Sequence, residues 1–330
     1  MRRVRLGLFA LGAVLTIAGL IGGVGEAQQA GRPVQIGVLT ESWGPTPTIV
    51  GLRDGLLELG YRENEQFVIG VRFTQGDAAQ LPAAARDLVR LGPDILVTGE
   101  GGNAAKAAQM ATKRIPIVFV GGGSDPVGLG LVQSFARPGG NITGIADLSV
   151  ELAPKRMEIF REIVPGLKRV LFVYDAANAE ADTILRLHRD AARRLGLTLV
   201  ERPVRTQDEA QAAIAGARKG DADGILSPRL LSLNIPGFIL EVGAKGAVPT
   251  MFHGPFYVER GGLASYSASY HELGRQAAHL VDKILKGTKP ADLPVQQPTK
   301  FELIINLKTA KALGLTIPPA VLMRADRVIQ

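Results

Sequence analysis

The fold of this chain is decided by residues 94–125, DILVTGEGGNAAKAAQMATKRIPIVFVGGGSD. They contain an apolar run at 94–98, a glycine-rich turn at 99–102, an alanine-rich segment that begins at Asn103, and a second apolar run at 115–120. Short apolar runs on both sides of a helical pattern predict a strand–helix–strand unit with parallel strands and a right-handed crossover. Ligands of such sheets bind beyond the carboxyl ends of the strands, so the turns after both strands are expected to face one crevice.

The same alternation of strand and helix patterns continues on both sides of this unit. A first set has predicted strands at residues 34–39, 67–73, 94–98, 115–120 and 142–145, and a second set has them at 169–174, 197–204, 224–227 and 248–252. Helical patterns separate most of the strands within each set, whereas a turn at residues 136–141 precedes the strand at 142–145. We therefore predict an α/β protein with two doubly wound, parallel-sheet lobes.

The end of the chain indicates how the lobes are joined. A strand pattern at residues 263–269, an amphipathic helix at 271–287 and a strand at 301–307 follow the second set. We expect the first lobe to comprise residues 33–145 plus about 268–290, and the second to comprise 146–267 plus about 291–330. Several crossings between two lobes form a hinge, which allows closure around a ligand.

The N-terminus has the pattern of an export signal. Arg2, Arg3 and Arg5 precede an apolar run at residues 6–21, and Gly25-Glu26-Ala27 forms a small-x-small cleavage pattern. We interpret residues 1–27 as a signal peptide and expect a periplasmic protein. The alternative is a membrane anchor, for which the apolar run is short.

Composition excludes several classes of function. With 330 residues, of which 46% are hydrophobic and 21% charged, the chain is long enough for about two domains. It has no cysteine, which excludes disulfides, thiol nucleophiles and thiolate metal sites. The net charge is +7, but basic residues such as Lys155-Arg156 are scattered among acids and are interpreted as surface charges, so no nucleic-acid partner is expected.

Several stretches carry a resemblance to a known family. They include GLLELGY at residues 55–61, SDPVG at 124–128, ARPGGNITG at 136–144 and most of 282–329. Over about residues 33–330 the chain resembles the solute-binding proteins of bacterial ABC transporters, in the tryptophan/tyrosine-type group with the type I periplasmic-binding fold. The resemblance implies a receptor that captures a small organic solute between two lobes and delivers it to the transmembrane subunits of an ABC permease.

The resemblance also implies a non-enzymatic, monomeric protein without a cofactor, and an amino acid or a carboxylate as the solute. Two crevice stretches depart from the family's pattern. Gly101-Gly102-Asn103 replaces a frequent small hydroxyl residue, and residues 175–178, DAAN, replace a usual Asn-Pro pair. The identity of the solute therefore stays open.

Candidate binding residues of the first lobe follow the predicted strand ends. Trp43, the only tryptophan, could stack on a flat solute or pack on its own lobe. A helix is predicted to start at Asn103, and backbone N–H groups at Gly102 and Asn103 could bind a carboxylate, although Asn103 could equally cap its own helix. Ser124 and Asp125 could bond a polar group or an ammonium, but an aspartate before a proline is also typical of a turn.

Candidates of the second lobe follow three other strands. Arg229 could hold a carboxylate in bidentate fashion, and Asp175 could hold an amine. His253 is expected to face the same crevice, and Tyr266 could line its hinge side or belong to the core. An interlobe salt bridge or solvated charges are the competing interpretation for Asp175 and Arg229.

Two other functions are weighed. Gly99-x-Gly101-x-x-Ala104 after a strand fits a dinucleotide fingerprint, with Asp125 near the position of the ribose-binding acid, so a less favoured alternative is an NAD-dependent dehydrogenase. The other is a ligand-binding protein that serves a membrane sensor. No metal site is expected, because His271 and His279 are eight residues apart on one helix.

Overall fold

The structure is a computed structural model. It describes residues 32–42, 44–99, 101–121, 125–177, 181–217, 221–228, 232–245 and 248–330. The interpreted signal peptide and the candidate residues Trp43, Ser124 and Arg229 lie outside the described residues.

The described elements alternate much as the sequence patterns predict. The strands are β1 Val34–Thr40, β2 Phe67–Phe73, β3 Ile95–Gly99, β4 Ile117–Val120, β5 Ile142–Ile145, β6 Arg169–Asp175, β7 Thr198–Val204, β8 Gly224–Leu226, β9 Thr250–Phe252, β10 Ala264–Ala268, β11 Phe301–Asn306 and β12 Arg327–Ile329. The helices are α1 Pro47–Glu58, α2 Leu81–Arg90, α3 Gly102–Ala111, α4 Ala153–Ile163, α5 Ala181–Leu195, α6 Gln207–Ala215, α7 Ile235–Ala244, α8 Pro255–Val258, α9 Tyr270–Leu285, α10 Leu307–Ala312 and α11 Pro319–Leu322.

The first lobe is built on a parallel sheet. Within the described residues this sheet has five strands in the order β2-β1-β3-β4-β5. Its central strands β3 and β4 are buried along their whole length. One face packs Val38 and Val97 against α1 and α9, and the other packs Leu39 and Phe119 against α2 and α3. Continuous apolar runs suit such a sheet because both of its faces are covered.

The second lobe has the larger sheet. Its seven described strands have the order β12-β11-β10-β9-β8-β6-β7. All neighbours are parallel except β10 and β11, which are antiparallel. The predicted class, α/β with two doubly wound lobes, is confirmed, and the antiparallel pair is an addition that the sequence patterns did not indicate.

Helix α9 packs on the first lobe although it follows a strand of the second. Gly51 of α1 and Gly274 of α9 allow the backbones of the two helices to pack in direct contact. A Cβ atom added at Gly51 would lie 1.9 Å from the backbone oxygen of His271, and one added at Gly274 would lie 2.1 Å from the backbone oxygen of Thr48. Only hydrogen at these two positions permits this helix separation.

The described chain passes between the lobes at three places, namely residues 146–152, Ser269, and residues 297–300. The last crossing comes a few residues later than the boundary expected near 291. Val295 and Gln296 still donate backbone hydrogen bonds to Phe135 O at 2.7 Å and Gly144 O at 2.9 Å. The side chains of Leu293 and Val295 fill first-lobe cores, which holds this segment on the first sheet.

Three short described elements have no counterpart in the sequence patterns: α8, α11 and β12. Elements of three or four residues are too short to show a hydrophobic period. In the described part of the chain, no helix combines the length and apolarity needed to cross a bilayer.

Candidate functional site

The carboxyl edge of the first sheet forms one wall of the candidate site. The strand register places Thr40, Gly99, Val120 and Ile145 at the same level. The segments that follow these strands therefore lie side by side along one edge, as the parallel topology predicts.

Hydroxyl groups are concentrated at this edge. The buried Thr40 Oγ1 accepts a hydrogen bond from the backbone N–H of Ser42 at 3.2 Å, and Ser42 Oγ donates to the backbone oxygen of Gly44 at 2.9 Å. The side-chain oxygens of Thr74 and Thr98 are buried and have no hydrogen-bond partner among the described residues. An unpaired buried hydroxyl costs free energy, so this end of the sheet has unused hydrogen-bonding capacity.

Helix α3 opens on the same edge. It begins at Gly102, one residue earlier than predicted, and its N-cap is Gly101 with φ 137°, a backbone conformation that favours glycine. A Cβ atom at Gly101 would lie 3.9 Å from Glu41 Oε1. Asn103 is exposed inside the first turn, so the interpretation of Asn103 as the cap of this helix is wrong. The first N–H groups of α3 have no acceptor within the helix.

Asp125 lies in a turn on the first lobe. Its exposed side chain accepts hydrogen bonds through Oδ1 from the backbone N–H groups of Val127 at 3.1 Å and Gly128 at 2.8 Å. This arrangement matches the turn that an aspartate before a proline favours. A role for Asp125 in ligand binding stays a prediction.

The carboxyl edge of the second sheet carries the second group of candidate residues. The pairing of Phe252 with Ser265 places His253 and Tyr266 at one level. Asp175 ends β6 half-buried, and its Oδ1 accepts a hydrogen bond from Ala177 N at 2.8 Å. The register thus brings three of the four second-lobe candidates to the same edge, while Arg229 lies outside the described residues.

Aromatic rings surround His253. Its side chain is 6% exposed, and its ring lies 5.1 Å from that of Tyr257, which stacks on Phe252 at 4.9 Å. The neighbouring Phe256 is 53% exposed, with the guanidinium carbon of Arg260 lying 3.6 Å from its ring centroid. Sequence analysis did not identify Phe256 and Tyr257, because α8 is too short to show a hydrophobic period. The proline that opens α8 is the signal that could have found the helix.

Tyr266 occupies the middle of β10 at the hinge. Its ring stacks on that of Phe301 at 6.1 Å, and its backbone oxygen accepts a hydrogen bond from Arg156 Nε at 2.9 Å. The guanidinium of Arg156 also donates to the backbone oxygen of Ser149 at 2.6 Å. Arg156 is 2% exposed, so its interpretation as a surface charge is wrong. Arg156 thereby connects the first crossing, at residues 146–152, to β10, the strand that precedes the second crossing at Ser269.

Arg156 also affects an internal histidine of the second lobe. His188 is 4% exposed, stacks on Phe172 at 4.2 Å, and lies with Nδ1 2.7 Å from Ile184 O. Burial, assisted by the charge of Arg156, lowers the pKa of His188 to about 4. His188 is therefore neutral at pH 7. Among the described residues, no group of three His, Cys, Asp or Glu side chains could hold a metal ion.

One family model matches nearly the whole described chain. The model of the family described as ABC transporter substrate binding protein matches residues 34–329. A tyrosine-binding protein of Clostridioides difficile (strain R20291) is 28% identical over 267 residues, which cover 80% of this chain and 76% of that protein.

Two solved structures are similar over nearly their whole length. A conserved domain protein of Vibrio cholerae is 34% identical, with a TM-score of 0.77, covering 89% of this chain and 99% of that one. A protein of Streptococcus pneumoniae solved in complex with L-Trp is 28% identical, with a TM-score of 0.76, covering 90% of this chain and all of that one.

Proposed function

Because the chain belongs to the ABC transporter substrate-binding protein family, we propose that it captures an amino acid with an aromatic side chain and delivers it to a membrane permease. The observation that carries the proposal is the chemistry of the two carboxyl sheet edges, one in each lobe. One offers hydroxyl and backbone N–H groups, and the other offers a carboxylate and aromatic rings. A tyrosine-binding relative and a relative that holds L-Trp support the choice of ligand class.

Each part of such an amino acid has a complementary group. Its carboxylate would accept hydrogen bonds from the first N–H groups of α3, at Gly102 and Asn103. Its ammonium would bind the carboxylate of Asp175, with Asp125 as the other candidate, and its ring would lie near His253 and Tyr266. Trp43, Ser124 and Arg229, which belong to the same strand-end segments, complete the proposed contacts.

Binding would be coupled to closure of the lobes. Residues 146–152, Ser269 and residues 297–300 connect the two sheets, so bending there changes the width of the crevice. A solute can drive closure only if it binds the closed form more tightly than the open form. Contacts from both walls at once would provide that difference.

The proposal also covers location and partners. The N-terminal sequence pattern supports export through a signal peptide of residues 1–27 into the periplasm. There the protein would act as a monomer without cofactor or catalysis, and its partner would be the transmembrane part of an ABC importer. Delivery to a sensor instead would leave the crevice unchanged, and a pull-down with the two candidate membrane proteins would separate these roles.

Calorimetry and thermal unfolding of the mature chain, residues 28–330, test the proposal. We expect L-Tyr or L-Trp to bind one to one and to stabilise the protein by about 2.7 kcal/mol at a hundredfold excess over Kd. The control is Met323→Ala, a change at an 81% exposed side chain of the second lobe that should leave binding unchanged. Saturation by NAD with no response to any amino acid would contradict the proposal and favour the dehydrogenase.

A further inference from the structure

The end of the first lobe that lies opposite the crevice is formed by the segments that lead into its strands. Residues 91–94 connect α2 to β3, and residues 112–116 connect α3 to β4. These two segments lie side by side, because Leu96 N donates a hydrogen bond to Pro116 O at 2.8 Å. The turn at residues 136–141 joins them, since the side-chain amide of its last residue donates to two backbone oxygens of the second segment at 3.2 and 2.8 Å. The three segments and the helix ends beside them form one face, which we call the basal surface.

Two large apolar side chains are exposed on the basal surface. Leu91 is 53% exposed, and Met110, near the end of α3, is 74% exposed. Their chain neighbours Arg90 and Ala111, together with Arg86, line a groove of about 400 Å³ between α2 and α3. The two apolar side chains therefore lie beside a groove that is lined in part by arginine.

The basal surface also has an excess of positive charge. Arg32 pairs with Asp94 at 2.7 Å, and Arg90 pairs with Asp87, so both pairs are neutral overall. Four further basic residues are exposed and form no ion pair with a described residue, namely Arg86, Lys113, Arg114 and Arg137. They leave the surface with a net charge of +4.

The opposite end of the first lobe carries acidic residues. Glu41, Asp77 and Asp125 follow strands β1, β2 and β4 at the carboxyl edge of the sheet. A negatively charged surface would therefore attract the basal surface and repel the crevice edge. Charge thus favours one orientation of the lobe on such a surface.

The start of the described chain brings the basal surface close to the membrane during the proposed export. Arg32 precedes β1 and bonds to Asp94, so the chain enters the lobe at this surface. Residues 22–31 connect it to the apolar run at residues 6–21. A connection of this length spans at most about 35 Å. While the apolar run is in the membrane, the basal surface therefore lies within about 35 Å of the bilayer.

We propose that the basal surface is a docking surface for a bilayer that contains anionic phospholipid. Its unpaired basic side chains bind lipid phosphates, and Leu91 and Met110 enter the interfacial region. The crevice lies at the other edge of the sheet and stays open to solute. This contact adds to the proposed function a means of keeping the protein at the membrane that holds its permease, and it uses the proposed export only for the location.

Sedimentation of the mature chain, residues 28–330, with lipid vesicles tests the proposal. The protein should bind vesicles of mixed phosphatidylglycerol and phosphatidylcholine, and should not bind vesicles of phosphatidylcholine alone. Salt should weaken binding, because the Debye length falls to about 8 Å at physiological ionic strength. Inorganic phosphate should compete no better than chloride at equal ionic strength. Specific competition by phosphate would identify a soluble anion as the ligand and overturn the proposal.

Charge variants locate the contact. Each basic residue near an anionic bilayer contributes about a fivefold gain in affinity, so Arg86→Gln combined with Arg114→Gln should weaken vesicle binding about 25-fold. The matched control is Arg186→Gln combined with Arg205→Gln, which removes the same charge from exposed positions of the second lobe. Equal losses in the two double variants would assign binding to net charge and overturn the proposal.

Apolar variants test the same surface without a change of charge. Leu91→Ser combined with Met110→Ser should weaken vesicle binding about tenfold, because less apolar surface enters the bilayer. All of these variants should keep the wild-type affinity for L-Trp or L-Tyr. A wild-type protein that binds no anionic vesicle would overturn this proposal alone, whereas one that binds vesicles but no amino acid would overturn only the proposed function.

Discussion

The two lobes share an architecture but differ in what holds them together and in what they offer a ligand. The first lobe packs helices through bare backbone at Gly51 and Gly274, and its crevice edge carries hydroxyl and N–H groups. The second lobe buries the charged Arg156 and the imidazole of His188, and its edge carries aromatic rings. In a doubly wound fold, the core residues that stabilise a lobe can therefore differ without changing the strand-end residues that are available to a ligand.

The helix contact of the first lobe should be the most sensitive point of the molecule. Gly51→Leu should destabilise the protein by more than about 3 kcal/mol, because the new side chain collides with the backbone of α9 and forces the helices apart. Chemical denaturation measures the effect. Gly140→Ala is the control, since a Cβ atom there meets nothing within 4 Å. A near-native midpoint for Gly51→Leu would show that α1 and α9 are not rigidly packed.

Acid should weaken the second lobe first. The pKa of His188 is about 4 in the folded state, below its usual 6.5, so the unfolded chain binds more protons between these values. Stability should fall by about 3 kcal/mol as pH drops from 6.5 to 4. Hydrogen exchange at pH 7 and 4.5 should therefore show a greater loss of protection in β6 than in β3.

His188→Gln removes the titrating group and should flatten this pH dependence. His279→Gln, a change at an exposed histidine of α9, should leave it as in the wild type. A second lobe that stays as acid-sensitive in the His188 variant as in the wild type would assign the effect to carboxylates instead.

Arg156→Met should loosen the hinge at a smaller cost. The substitution leaves the backbone oxygens of Ser149 and Tyr266 without their charged donor, which should cost about 2 kcal/mol. Amide exchange in residues 146–152 and in β10 should accelerate. Lys155→Met is the matched control, because its exposed pair with Glu158 contributes little. Unchanged exchange in the crossing would mean that Arg156 does not connect the two segments.

Much of the fold could be predicted because local sequence signals mark where its strands and helices begin and end. β2 and β5 have the bounds that the sequence patterns indicate, since each is a short apolar run: Gln66 and Thr74 flank β2, and the turn at residues 136–141 precedes β5. The pairing of β10 with β11 could not be predicted, because its direction depends on a return of the chain through the first lobe.

In the candidate site, too, some features follow from local sequence signals and others depend on distant contacts. The turn at Asp125 follows from an aspartate before a proline, a local signal. The burial of Arg156 depends on Tyr266, which is 110 residues distant, and its neighbour Lys155 has the pattern of a surface residue. Gly101 lies between these two cases. Its positive φ places the start of α3 at Gly102, and Asn103 is then exposed in the first turn.

The contact between α1 and α9 also determines when the molecule can take shape during synthesis. The partner of α1 ends at Leu285, so the first lobe to be translated cannot complete its core until the ribosome has nearly finished the chain. Most multidomain chains fold from the N-terminus as they emerge. Here the first lobe cannot close its core before α9 has been translated.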